Sequence, residues 1–175
     1  IVLYSSAQTG KTTELKQLCW ELQQSGLYLP VSFEVRTNTK LKRDDLPESQ
    51  YVDGREVVLV IDALDEVNGQ KYEDLLEEIG GYAYEHPEMK MVLSYRSNFR
   101  RERQLELFTE LFLEELSIDD ARDYAAKREV NSDRFMRSVF ANQLEDFIKN
   151  PFFLSVLIDA YKGKGKQLPK TIYKI

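Results

Sequence analysis

Three short strings of residues in this chain have the composition of phosphate-handling chemistry. The first is Ser5-Ser6-Ala7-Gln8-Thr9-Gly10-Lys11-Thr12, followed by Thr13. Backbone amides of a small-residue loop that runs into a helix concentrate partial positive charge where a β-phosphate can sit. Ser6, Ala7, Gln8, Thr9, Gly10 and Thr13 are the loop and helix-start residues of such a site. Lys11 would reach the β- and γ-phosphates, and the Thr12 hydroxyl would ligate Mg²⁺. The pattern ordinarily opens with glycine, which turns at low cost, and here that place is Ser5. A serine can make the turn if its φ is negative.

The second string is Val57-Val58-Leu59-Val60-Ile61-Asp62-Ala63-Leu64-Asp65-Glu66. An apolar strand ending in an acid delivers a carboxylate to the edge where open α/β sheets bind ligands, so Asp62 is the expected partner of Thr12 at the metal. Asp65 or Glu66, just beyond, could polarise an attacking water, since phosphoryl transfer needs positioning and charge stabilisation more than covalent help. A charged helix start is the plain alternative for either one. The third string, Met91-Val92-Leu93-Ser94-Tyr95-Arg96, is a strand ending in an arginine that could sense a γ-phosphate.

These residues need a scaffold of strands that end at one edge. Ile1 to Tyr4 read as a strand, Gly10 to Gln24 as a helix with Leu15, Leu18, Cys19 and Leu22 on one stripe, and Val31 to Val35 as a second strand. Gly26 stands where a helix C-cap belongs. Thr37 to Arg55 is polar and holds at most a short helix. The β-branched run Val57 to Ile61 predicts a strand covered on both faces, at the centre of a parallel sheet. Tyr72, Leu75, Leu76, Ile79, Tyr82 and Ala83 form a helical stripe weakened by Gly80 and Gly81; Lys90 to Ser94 and Leu111 to Leu116 read as further strands. From Ser117, whose spacing to Asp120 is that of a capping box, only helices follow. Phe135 to Ile148 carries one apolar stripe, and Asn150 and Pro151 mark the N-cap and first position of another helix. The expected fold class is α/β: a three-layer α/β/α P-loop NTPase core with a mostly parallel sheet over residues 1–116, followed by a small helical lobe over 117–175.

The 175 residues suffice for one substantial core. No apolar run approaches the roughly 18 residues of a membrane span, and no secretory signal is visible, so the expected setting is cytoplasmic with no membrane partner. A net charge of −6 argues against a nucleic-acid footprint, and the basic stretch Arg96 to Arg103 reads as a solvated helix face. The single Cys19 excludes an internal disulfide and reads as a small core hydrophobe; the single His86 reads as a helix-end residue, not a metal ligand. The chain starts at Ile1 inside a strand and stops inside an amphipathic segment, as an excerpt of a larger protein would.

Asp62-Ala63-Leu64-Asp65-Glu66 resembles the extended Walker B motif of NACHT ATPases, a branch of the STAND switch ATPases. The resemblance continues through Ser94-Tyr95-Arg96 as the sensor strand, Leu116-Ser117-Ile118-Asp119-Asp120-Ala121 at the start of the first helical domain, and Asn150-Pro151-Phe152-Phe153-Leu154. It implies a sensor strand lying between the phosphate-loop and Walker B strands. It also implies ATP or ADP with Mg²⁺ as ligands, slow switch-type hydrolysis, and an approach of Pro151 to the nucleotide; a proline at a first helical position equally needs no ligand to explain it. Such receptors are held closed by nucleotide with the help of winged-helix and sensor lobes, and assemble as homo-oligomers when activated; a prokaryotic member in antiviral defence would fit the lean loops. The segment from Val35 to Val57 is shorter than the family's usual helical insertion. Two other classes share the motifs: a nucleotide-locked scaffold with negligible hydrolysis, which Ser5 invites, and an AAA+ type motor. A GTP switch would need an Asn-Lys-x-Asp guanine-reading motif after the Walker B strand, and none is there.

Overall fold

The computed structural model describes residues 1–35, 41–67, 70–97, 107–163 and Leu168, without the side chains of Asp65, Gln70 and Lys71. Residues 98–106, which hold most of the basic stretch, lie outside this description. The chain divides into two compact units: Ile1–Ala7 with Lys11–Leu113, and Gln8–Gly10 with Glu114–Ile175.

The first unit alternates strands and helices. Its elements are β1 (Val2–Ser5), α1 (Lys11–Gln24), β2 (Tyr28–Glu34), β3 (Tyr51–Val52), β4 (Arg55–Asp62), α2 (Gln70–Glu85), β5 (Lys90–Arg96) and β6 (Glu110–Phe112). Among the described residues the strands form one sheet in the order β2-β4-β5-β1-β6, with β3 paired to β4. Every pairing is parallel except β3 with β4. β5, the strand that ends at Arg96, thus lies between β1 and β4, the order the resemblance implies. It is β5, not β4, that takes the middle of the sheet; β4 is interior beside it, which its apolar run equally satisfies.

The alternation of side chains along β4 sorts the packing. Val57, Leu59 and Ile61 join the α2 residues Tyr72, Leu75, Leu76, Ile79 and Tyr82 in one buried cluster. Val58 and Val60 face the other way, against Leu15, Leu18, Cys19 and Leu22 of α1. A strand buried on both faces needs apolar residues at every position, which is why no polar alternation appears in Val57–Ile61. Helices α1 and α2 therefore cover opposite faces, compatible with a three-layer α/β/α build. Gly80 and Gly81 do not break α2, because burial of Ile79 at 0% and Tyr82 at 1% exposure outweighs their cost of about 1 kcal/mol each.

Two boundaries differ by three residues or more from those read in the sequence, and one hairpin is absent from that reading. β2 starts at Tyr28, not Val31, and β6 ends at Phe112, not Leu116. The polar segment before β4 contains, besides a 3₁₀ turn at Arg43–Asp45, a β3–β4 hairpin. Its turn residues Asp53 and Gly54 have φ of 50° and 75°, the left-handed pair that a two-residue hairpin turn requires.

The second unit contains α3 (Ile118–Lys127), α4 (Ser132–Ala141), α5 (Glu145–Ile148) and α6 (Pro151–Gly163). Ser117 and Asp120 make the expected reciprocal capping box: Asp120 N–H donates to Ser117 Oγ at 3.1 Å and Ser117 N–H to Asp120 Oδ2 at 2.9 Å. Asn150 Oδ1 caps α6 by accepting from Phe152 N–H at 3.0 Å. The Phe135–Ile148 stripe is split, since Gln143 at φ 57° ends one helix before α5 begins. Phe135, Met136, Val139, Ile148, Leu154 and Ile158 are buried together as this unit's core.

Candidate functional site

Parallel strands end at the same side, and the chemistry collects there. β1 ends at Ser5, β4 at Asp62 and β5 at Arg96. Register brings Ser5 opposite Arg96, and Asp62 follows the Ile61–Leu93 pair by one residue, next to Ser94.

The loop after β1 resolves the question raised by Ser5. Ser5 is buried at 3% exposure as the last residue of the strand, and it is not among the residues with positive φ. The left-handed positions are Gln8 at φ 62° and Gly10 at φ 98°, so the turn falls later in the loop. The hydroxyl of Ser5 has acquired a contact: Lys11 Nζ donates to Ser5 Oγ at 3.0 Å and lies 3.5 Å from the Ser6 carbonyl. Ser6, Ala7 and Gln8 are exposed and Thr9 is buried. α1 opens with Lys11, Thr12 and Thr13, the last exposed.

Thr12 and Asp62, fifty residues apart in sequence, meet. Thr12 Oγ1 donates to Asp62 Oδ2 at 2.7 Å. Asp62 is only 8% exposed, and a buried carboxylate persists only if its lone pairs are engaged. Its second oxygen, Oδ1, accepts from Ala63 N–H at 2.9 Å and from the Ser94 hydroxyl. Ala63 N–H also reaches Ser94 Oγ at 2.9 Å. Ala63 itself is left-handed, at φ 65° and ψ 38°, which turns the chain sharply out of β4 into the 3₁₀ turn Leu64–Glu66.

Glu66 and Arg96, assigned separate roles in the sequence, meet each other: Arg96 Nη2 lies 3.4 Å from Glu66 Oε1, with both side chains more than a third exposed. Between Ser94 and Arg96, Tyr95 turns to the other face, where its hydroxyl bonds that of Tyr72 and its ring packs edge-on against Tyr4. The Asp65 side chain lies outside the described residues. Pro151 opens α6 in the second unit, where a proline fills a position whose N–H has no helical partner.

The pairing of a hydroxyl and a carboxylate oxygen fits a hard divalent cation. Among the described residues no three His, Cys, Asp or Glu side chains gather as a metal cluster. A nucleotide-borne Mg²⁺ does not need one, since phosphates and waters supply most of its oxygens and one or two protein groups suffice. Cys19 is half-buried, and burial pushes its thiol pKa up, the opposite of what a nucleophile requires. His86 packs on the Tyr82 ring at the end of α2.

The residue that sequence reasoning passed over is Ser94, fully buried and hydrogen-bonded to the carboxylate. Its only sequence signal is a small hydroxyl in an otherwise apolar strand. Among described residues no helix is long and apolar enough to cross a membrane. No family model matches the chain, and no curated protein matches it.

Proposed function

We propose that the chain is the core of a P-loop NTPase that binds ATP or ADP with Mg²⁺ and serves as a nucleotide-controlled switch of the NACHT-like STAND kind. The observation that carries this reading is the Thr12–Asp62 contact at 2.7 Å. A helix-start hydroxyl beside a strand-end carboxylate is the pair that holds a nucleotide-bound Mg²⁺ in phosphate-loop sites. The position of β5 between β1 and β4 supports the same reading.

In this account Lys11 and the loop amides bind the β- and γ-phosphates, and Thr12 with Asp62 holds the ion, which neutralises charge on the phosphate oxygens. Glu66 or Asp65 orients the attacking water. Arg96 senses the γ-phosphate, and its exposed ion pair with Glu66, worth only about 0–1 kcal/mol, competes weakly with that contact. Slow hydrolysis then sets how long the triphosphate form persists. Winged-helix and sensor lobes, homo-oligomerisation on activation and a role in antiviral defence are the further parts of the proposal.

Calorimetric titration of ATP, ADP and GTP with Mg²⁺ into the wild type and Lys11→Ala tests it. Adenine-selective binding that the substitution abolishes is expected. Folded wild-type protein that binds none of the three would overturn the proposal.

A further inference from the structure

The two oxygens of Asp62 are not equivalent. Oδ1 is held by two protein donors, the Ser94 hydroxyl and the Ala63 amide, while Oδ2 faces Thr12. Ser94 is 0% exposed and its own oxygen accepts from Ala63 N–H at 2.9 Å, so its hydroxyl has a fixed direction. A carboxylate with one oxygen committed in this way can offer a cation only the other.

That restriction discriminates between ions. Mg²⁺ demands near-octahedral geometry at about 2.0–2.1 Å and takes one oxygen from each carboxylate, whereas Ca²⁺ accepts 6–8 oxygens at about 2.3–2.6 Å and readily uses both oxygens of one carboxylate. We infer that Ser94 is a positioning residue which fixes Asp62 in a one-oxygen presentation and thereby sets a preference for Mg²⁺ over Ca²⁺ at the nucleotide site. This rests on the metal–nucleotide reading given above. Ser94, with no exposed surface, would reach neither ion nor nucleotide and would act through Asp62. Partners of this kind change metal affinity by roughly 10–100-fold when removed.

The test is equilibrium binding of a fluorescent ADP analogue, titrated separately with Mg²⁺ and Ca²⁺, for the wild type, Ser94→Ala and Ser94→Cys. The thiol of the second variant is nearly isosteric and a weak donor, so it preserves packing and decides the matter if the alanine variant fails to fold. The wild type should reach half-saturation at lower Mg²⁺ than Ca²⁺. In Ser94→Ala the Mg²⁺ requirement should rise by about tenfold or more and the gap to Ca²⁺ should narrow, with Ser94→Cys shifted in the same direction by less. A folded variant with the wild-type ratio of the two half-saturation points would overturn the role of Ser94 and leave the nucleotide site standing. A wild type whose ADP binding ignores divalent ions would overturn both.

Discussion

Replacing Asp62 by Asn and by Ala separates what its hydrogen bonds contribute from what its charge contributes. Asn keeps the shape: its carbonyl can accept from Ala63 N–H and the Ser94 hydroxyl, and its amide can donate to Thr12 Oγ1, which accepts as readily as it donates. Each of the three bonds falls from a charge-assisted value of about 1.5–3 kcal/mol to a neutral one of about 0.5–1.5, a loss of roughly 3 kcal/mol in all. Against this stands relief from burying a carboxylate at 8% exposure, itself several kcal/mol. The two nearly cancel, and Asp62→Asn should lie within about 2 kcal/mol of the wild type. Ala also removes the charge but supplies no acceptor. Ala63 N–H still has Ser94 Oγ, and half-exposed Thr12 still has water, so the group left stranded is the buried Ser94 hydroxyl proton, at about 1–3 kcal/mol. Asp62→Asn should therefore melt above Asp62→Ala by about 2–12 °C, taking about 2–4 °C per kcal/mol for a chain of this size. Thermal melts followed by circular dichroism, without nucleotide or Mg²⁺, measure this. Equal melting temperatures, or Ala above Asn, would refute the hydrogen-bond assignment around Ser94. Both variants should lose Mg²⁺-dependent nucleotide binding.

Four other expectations can be checked on the same material. Ser5→Gly introduces the usual loop residue but removes one acceptor of Lys11 and adds strand flexibility, so denaturant unfolding should show a loss of about 1 kcal/mol or somewhat more. Gly10→Ala meets no atom of the described residues within 4 Å of the new Cβ, so backbone strain at φ 98° dominates its cost; nucleotide affinity should fall with stability lowered by about 1–2 kcal/mol, read by calorimetry and chemical denaturation. Glu66→Gln should slow phosphate release from ATP while keeping binding, with unchanged turnover moving the role to Asp65, and Arg96→Ala should weaken ATP binding while sparing ADP, which has no γ-phosphate to sense.

Much of the scaffold was legible because its signals are local. The run Val57–Ile61 is apolar at every position, as a strand buried on both faces must be, and the Ser117–Asp120 and Asn150–Pro151 caps announce helix starts by chemistry confined to a few residues. The hairpin at Tyr51–Val52 escaped because two residues carry no periodicity, although Asp53-Gly54 was a readable turn signal. The break between α4 and α5 escaped because Gln143, not a glycine, takes the left-handed position while the apolar stripe runs on past it. Motifs named Thr12 and Asp62, yet nothing in the sequence sets the register that puts Ser94 beneath the carboxylate. The Glu66–Arg96 pair likewise depends on how two strands lie side by side, which spacing along the chain does not encode.

Whether Lys11, Thr12 and Asp62 form a metal–nucleotide site can be decided by locating the bound ion. With Mn²⁺ replacing Mg²⁺ in the presence of ADP, paramagnetic broadening of backbone amide signals reports which residues lie nearest the metal. The amides of Lys11, Thr12 and Ala63 should broaden first, only when ADP is present, and Asp62→Asn should abolish the effect. Broadening centred elsewhere, or none at these amides with ADP bound, would contradict a site at these residues.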